Sequence, residues 1–292
     1  MLDDIDTIPW HELTHAKGRA DNVPSLLRAL ADARTAKKTT RPLRELSETI
    51  WCLGSVYEAA ACAVPFLLEL VADRRTPGRP GILSLMALIA SGGCHYAAYG
   101  DPNDADYKAR LAQEDRWVKA AHDAVAAGIQ TLLAIAEEDG PQRIAAANAL
   151  AKLRDKAKTV APVLRRMLSE ETSPNTRTGL LVMLGELGDL SVDTVALLRQ
   201  ALGASDPDEQ IAAAAVIAHL RVEPKPKAAR TVILKAIMNG RSRDAIEFIP
   251  WDPDELIEYL EPEDRDGLFA ASSCRGEPIR GNVASPHAKP SS

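Results

Sequence analysis

Aromatic residues are scarce in this chain: Phe, Trp and Tyr together make up 4% of its 292 residues. Sequence-tolerant nucleic-acid grooves rely on stacking platforms, and there is little material here to build them. Cysteine is also sparse. Cys52, Cys62, Cys94 and Cys274 form no C-x-x-C pair and no Cys–His set with metal spacing. That excludes the common zinc frameworks and a disulfide scaffold, and it reads as small apolar residues in a reducing compartment. No apolar run is long: FLLELVA and ILSLMALIA fall well short of the ~20 residues a membrane-spanning helix needs. The opening MLDDIDTIPW is acidic and has no apolar core of a signal peptide, so a cytoplasmic location is expected. G-x-S-x-G, the phosphate-binding G-x-x-x-x-G-K-[ST] loop and the dinucleotide glycine pattern are all missing, so no cofactor is expected.

What the chain does have is alanine and leucine in periodic helical patterns. Apolar residues reach 46%, enough for a substantial core, and the formal net charge is −6. Pro141, Pro174 and Pro207 stand 33 residues apart, and each opens a helical stretch: PQRIAAANALAKL, PNTRTGLLVMLGEL and PDEQIAAAAVIAHL. A fixed period of this length marks a repeat array whose units cannot bury a core alone. A second helix per unit is visible in six segments: PSLLRALAD, PFLLELVAD, QTLLAIAEE, PVLRRMLSE, ALLRQALGA and TVILKAIMN.

In these segments the third column is Leu26, Leu67, Leu132, Leu164, Leu198 and Ile233. The seventh is Leu30, Val71, Ala136, Leu168, Leu202 and Ile237. The two columns lie one helical turn apart and predict the buried face. The fourth column mixes Leu27, Leu68, Leu133 and Leu234 with Arg165 and Arg199, which predicts a rim where a guanidinium can reach water. Proline opens three of the six segments and is expected in the first turn, where its missing N–H is harmless. Third-column spacings of 41, 65, 32, 34 and 35 place an irregular unit in the widest gap, near GILSLMALIA.

An Ala-rich first helix, a break and a Leu-rich second helix resemble HEAT repeats, directly over 141–240 and more weakly over 20–75. The resemblance implies an all-α fold, a right-handed α-α superhelix or HEAT-like solenoid of about six to seven helix pairs. The expected organisation is a single solenoid over 1–273. Its parts are irregular repeats over 1–140 with an insertion near 92–107, regular repeats over 141–240, a cap over 241–273, and a disordered tail over 274–292. A closer resemblance lies in IPWHELTHAKGRADNVPSLLRAL and IWCLGSVYEAAACAVPFLLEL, which are similar to stretches in a family of bacterial HEAT-repeat proteins without an assigned activity. The chain keeps that pattern at Trp10, His15, Gly18, Trp51, Gly54, Val56, Tyr57 and Glu58. It departs with Lys17 in place of Tyr, Leu53 in place of Gln and Ser55 in place of Thr.

His11-Glu12-Leu13-Thr14-His15 spells H-E-x-x-H, which on a helix could hold one zinc with the glutamate as base. It stands at the chain's start, lacks a third histidine, and reads better as a cap anchored by Trp10, Leu13 and His15, so no metal site is expected. Gly92–Tyr107 is the least repeat-like stretch, carrying His95, Tyr96, Tyr99, Tyr107, Asp101, Asp104 and Asp106. It is no EF-hand, because Asp106 and Ala112 stand where glycine and glutamate are required. It reads either as a binding loop or as an ordered insertion packing its tyrosines on neighbouring helices. Trp51, Tyr57 and Glu58 cluster at a corner between two helices. The candidate binding residues are therefore Trp10, His15, Trp51, Tyr57, Glu58, His95, Tyr96, Tyr99 and Asp101; none is assigned a catalytic role.

Two basic clusters, Lys152/Arg154/Lys156/Lys158/Arg165/Arg166 and Lys225/Lys227/Arg230/Lys235/Arg241/Arg243, could align into a stripe for phosphate backbones. The Asp252–Asp266 stretch carries eight acids and reads as a soluble cap. The leading expectation is a scaffold or adaptor that binds a protein or peptide on its concave face. One form of it is an immunity or antitoxin-like protein whose acidity suits a basic toxin. The alternatives are an enzyme or accessory lyase with its site in the N-terminal half, which predicts that His15, His95, Tyr57, Glu58, Tyr99 and Asp101 converge in one pocket, and nucleic-acid binding through the basic repeats.

Overall fold

The computed structural model describes residues 2–238, Trp251, Leu256 and residues 258–261. The cap expected over 241–273 is represented only by the last few of these. The tail at 274–292, with Cys274, lies outside the described residues, as do Arg241, Arg243 and most of the Asp252–Asp266 acids. The chain divides into two compact units, Met1–Thr194 and Val195–Ser292.

In the first unit helices follow one another in the order the Leu columns imply: α1 (Val23–Ala31), α2 (Ala36–Ile50), α3 (Glu58–Ala72), α4 (Arg79–Ser91), the short α5 (His95–Tyr99), α6 (Tyr107–Ala127), α7 (Ile129–Ala136), α8 (Pro141–Ala151), α9 (Ala157–Glu170) and α10 (Pro174–Leu187). They form two rows. α2, α4, α8 and α10 pack in sequence along one; α1, α3 and α6 along the other; and the rows pack on each other through α1–α2, α3–α4, α4–α6, α7–α8 and α9–α10. Helix α11 (Val192–Ala201) crosses the boundary between units, and α12 (Pro207–His219) packs on α13 (Lys227–Met238) in the second. All-α architecture built from packed neighbouring helices is thus what the chain adopts. Every strand among the described residues belongs to one of two tiny antiparallel hairpins, β1–β2 (Thr14–His15, Gly18–Arg19) and β3–β4 (Trp51–Cys52, Ser55–Val56).

The column pattern maps onto burial. All six third-column residues are buried, and Leu67, Leu132, Leu164 and Leu198 are fully so. The seventh column is buried as far as Leu202, and Ile237 is half-buried. The fourth column is the rim: Leu68, Leu133, Arg165 and Leu234 are half-buried and Arg199 is exposed, while Leu27 alone is fully buried. Burying each Leu is worth roughly 1.5–3 kcal/mol, so the columns hold the rows together.

Pro141, Pro174 and Pro207 each occupy the first position of their helix. The 33-residue period therefore counts helix starts. For α12 the cap is complete, with the Asp206 carboxylate accepting from the N–H groups of Asp208 and Glu209, both at 3.0 Å. The expectation of first-turn prolines fails at two segments. Pro65 and Pro162 lie inside α3 and α9, because the helices begin seven and five residues earlier at Glu58 and Ala157. Both prolines are exposed, opposite the buried columns. Each proline forfeits one intrahelical bond, to the carbonyl of Ala61 or Lys158.

One buried ion pair joins the irregular and regular parts. Arg79, at the start of α4, donates from Nε to the Val71 carbonyl at 2.7 Å and forks onto Glu138 at 2.7 and 3.1 Å. Its side chain is 7% exposed, so the bidentate geometry supplies what desolvation removes. Between α6 and α7 the chain passes over α3 at Gly128, where an added Cβ would lie 2.3 Å from Leu68 Cδ2 and would force that side chain to shift.

Candidate functional site

Three non-repeat segments of the N-terminal half are elaborated, one before α1 and two between helices, and backbone hydrogen bonds stitch them in series. The first is hairpin β1–β2, which precedes α1. Its Ala16 N–H donates to the Thr49 carbonyl at 2.9 Å, at the end of α2 where hairpin β3–β4 begins. The second is β3–β4 itself. Its Val56 N–H donates to Gly93 O at 3.0 Å, and Gly93 N–H returns to Gly54 O at 2.8 Å. Gly93 opens the third, the Gly92–Asp106 insertion. The stitches leave the backbone satisfied and put three non-repeat segments side by side on one edge of the unit.

Within this edge several candidates are structural. Trp10 is buried, donates from Nε1 to the Ile5 carbonyl at 2.7 Å and faces Phe66 at a centroid distance of 6.3 Å. His15 is buried in β1 with both ring nitrogens engaged: Lys17 N–H donates to Nδ1 at 3.0 Å, and Nε2 meets Asn22 Oδ1 at 2.8 Å. His11 is exposed in the preceding turn, so the H-E-x-x-H residues do not share a helical face. Among the described residues no group of three or more His, Cys, Asp or Glu is placed to hold a metal ion. Glu58 Oε2 accepts from the N–H and the hydroxyl of Thr14, at 3.0 and 2.9 Å, clamping hairpin β1–β2 to α3. Trp51 is half-buried beside Gly92, where an added Cβ would lie 3.2 Å from Trp51 Cδ1.

The insertion is ordered and folds partly on itself. Glu114 of α6 is buried and accepts from the Tyr96 N–H at 2.8 Å. The Arg110 guanidinium covers the Tyr96 ring, 5.2 Å from its centroid, and bonds its hydroxyl. Tyr107 packs against Tyr96 at 6.2 Å. Burial, with the nearby Cys52 and Glu114, pushes the Tyr57 hydroxyl above its ordinary pKa. Burial and the Asp115 carboxylate, which accepts from Cys94 Sγ at 2.9 Å, push the Cys94 thiol up to about 12. Burial and Glu58 push the Cys62 thiol up as well. Cys62 and Cys94 are thus held as thiols, the opposite of an activated nucleophile.

Some groups face outward. The His95 ring packs at a tilt against Tyr99, with centroids 5.1 Å apart, and Tyr99 is 63% exposed. Asp101 is exposed and accepts from Asn103 N and Nδ2, an Asx turn that leaves its charge in water. Asp104 and Asp106 are exposed too. The structure thus groups Tyr57, His95, Tyr96 and Tyr99 around hairpin β3–β4 and α6, and Asp101 follows Tyr99 along the chain, bonded to Asn103. Trp10, His15 and Glu58 belong to the neighbouring hairpin, and no contact joins His15 to His95.

Sequence reasoning passed over Leu53. It is 80% exposed at the tip of β3–β4, with φ of +49°, followed by Gly54 at +89°. Two positive φ values make a type I′ turn, which favours Asn-Gly or Gly-Gly. A leucine there costs roughly 1–2 kcal/mol in backbone energy and gains no burial. The signal was legible as Leu-Gly between two strand-like pairs, Trp-Cys and Ser-Val.

The C-terminal turns are of another kind, and residues 129–219 match the family model for HEAT repeats. This stretch is made of HEAT repeats. No curated protein and no solved structure compared with the chain matches it. In the HEAT stretch the turns are short and self-contained. Arg165 Nη1 donates to Asp189, Ser191 and Thr194 at 2.8, 2.9 and 3.1 Å. Burial pushes the Asp189 carboxyl up, but the hydroxyls of Thr194 and Ser191 and the Arg165 charge outweigh it and hold the pKa below the ordinary range. Lys152 pairs with Glu186, Arg154 Nε donates to the Glu186 carbonyl at 2.7 Å, Lys156 meets Asp155 at 2.7 Å, and Arg166 pairs with Glu137. Five of the six cations in the first of the two basic clusters thus already have partners. In the second cluster Lys225 meets Glu261 at 3.8 Å and lies over the Tyr259 ring. No helix among the described residues is long and apolar enough to cross a membrane.

Proposed function

We propose that the chain is a protein-binding scaffold that presents the stitched edge of its N-terminal half to a partner. HEAT repeats are commonly protein-interaction scaffolds. The observation that carries the reading is the contrast in what the turns leave unpaired. The turn after α10 gathers Asp189, Ser191 and Thr194 on Arg165 and exposes the apolar Leu190 and Val192, whereas the elaborated edge exposes an apolar, an aromatic and several acidic side chains, Leu53, Tyr99, Asp101, Asp104 and Asp106, on a backbone fixed by hydrogen bonds. A preformed edge of this kind binds at low ordering cost. The thiols held protonated and the dispersed histidines favour binding over nucleophilic chemistry, and the paired cations weigh against a phosphate-backbone stripe. An immunity-type role is one form of the reading and fits the formal net charge of −6.

The test is hydrogen exchange on the full chain in a stoichiometric complex isolated from its native host. Protection at residues 51–58 and 92–107 is expected. Protection confined to the helices of 129–219 would move the contact elsewhere, and a chain that remains partnerless after cross-linking in its host would remove the reading.

A further inference from the structure

The tip of hairpin β3–β4 is the point on this edge where stability and side-chain choice conflict. Leu53 takes a left-handed backbone conformation that asparagine or glycine adopts more readily, and it exposes 80% of its surface. A contiguous path leads from it to an acidic surface. Gly54 is bonded to Gly93, His95 follows two residues on, its ring packs at a tilt against Tyr99, and Tyr99 precedes Gly100 and Asp101. Between Gly92 and Asp106 the sequence holds three aspartates, all exposed, and no lysine or arginine. Beyond it, Lys108 is exposed two residues after Asp106, and Arg110 is engaged by Tyr96, so the aspartates outnumber the free cation beside them.

From this the geometry points to a specific occupant, resting on the protein-binding reading above: a basic segment of a partner protein that seats Leu53 in an apolar pocket, packs on Tyr99 and lays lysine or arginine side chains against Asp101, Asp104 and Asp106. Charge complementarity selects the sign of the partner. The aspartates lie on the rim and act on association rate and salt dependence, while Leu53 and Tyr99 supply the desolvated centre.

The probe is a phage-displayed random-peptide library selected on the full chain, followed by affinity measurements with the selected peptides. Lysine- or arginine-rich peptides carrying at least one large apolar residue are expected. Leu53→Asn should weaken them by about 30-fold, the scale of an interface hot spot. The same variant should melt at the same temperature or higher, because asparagine suits the turn; this separates a contact role from a structural one. Converting Asp101, Asp104 and Asp106 to Asn should flatten the salt dependence while leaving the fold intact.

Selected peptides that are neutral or acidic, or that bind Leu53→Asn equally well, would overturn the inference and leave the protein-binding reading standing. Failure to select any peptide would count against both. A homodimer that Leu53→Asn dissolves would make the occupant a second copy, and tighter binding of duplex DNA than of any peptide would make it a nucleic acid; either overturns the proposal.

Discussion

The turns of the HEAT stretch and those of the N-terminal half perform the same connection with opposite economies. After α10, Asp189, Ser191 and Thr194 gather around one guanidinium, and nothing polar in that knot is left for a partner. After α2 and α4, hairpin β3–β4 and the Gly92–Asp106 insertion satisfy their backbone by bonding to one another, which frees side chains to point outward. The lesson is that side-chain knots consume the groups a binding surface needs, whereas backbone stitching fixes a surface without spending them.

The largest effect should come from opening a knot. Arg165→Met leaves the Asp189 carboxylate half-buried without its cation and should lower stability by roughly 3–5 kcal/mol in urea titration. Loss of less than about 1 kcal/mol would show that the knot is as dispensable as a surface pair. Next comes Leu164→Ala, one residue away in the fully buried column, which should cost roughly 2–5 kcal/mol through the cavity it leaves.

Acid should separate the two regions further. The Asp189 pKa lies below its unfolded value of about 3.9. Its contribution is therefore present above that pH and is lost as pH falls through the folded value. Asp189→Asn should flatten that part of the acid-unfolding profile monitored by circular dichroism, and an unchanged slope would show that other carboxylates dominate. The smallest effect belongs to the stitched edge. Glu58→Gln, which keeps one acceptor for Thr14, should cost about 1 kcal/mol or less and raise amide exchange at residues 14–19 while leaving α8–α10 unchanged. Equal loosening of both regions would abolish the distinction.

Much of the fold was legible in one dimension because helix periodicity and first-position prolines are local properties. The Leu columns placed the buried face, and the arginines of the fourth column placed its rim. Pro65 and Pro162 were misread because a helix can extend upstream of a proline that lies on its exposed face, and that depends on which face is buried. The hairpins escaped notice because two-residue strands have too few positions for alternation to show. Leu53 was visible as a residue yet silent, since only its positive φ and its exposure mark it as costly.

By itself, then, the sequence determined the repeat helices with their buried columns and the HEAT character of 129–219, all fixed by spacing along the chain, whereas α2 and α6 carried no such signal. Tertiary structure alone decided which turns lie side by side, that Trp10, His15 and Glu58 are tied to structural partners, and that Leu53, Tyr99 and Asp101 remain in water. Those outcomes depend on backbone bonds between segments far apart in sequence, such as Ala16 to Thr49 and Gly54 to Gly93, and no local pattern specifies such bonds.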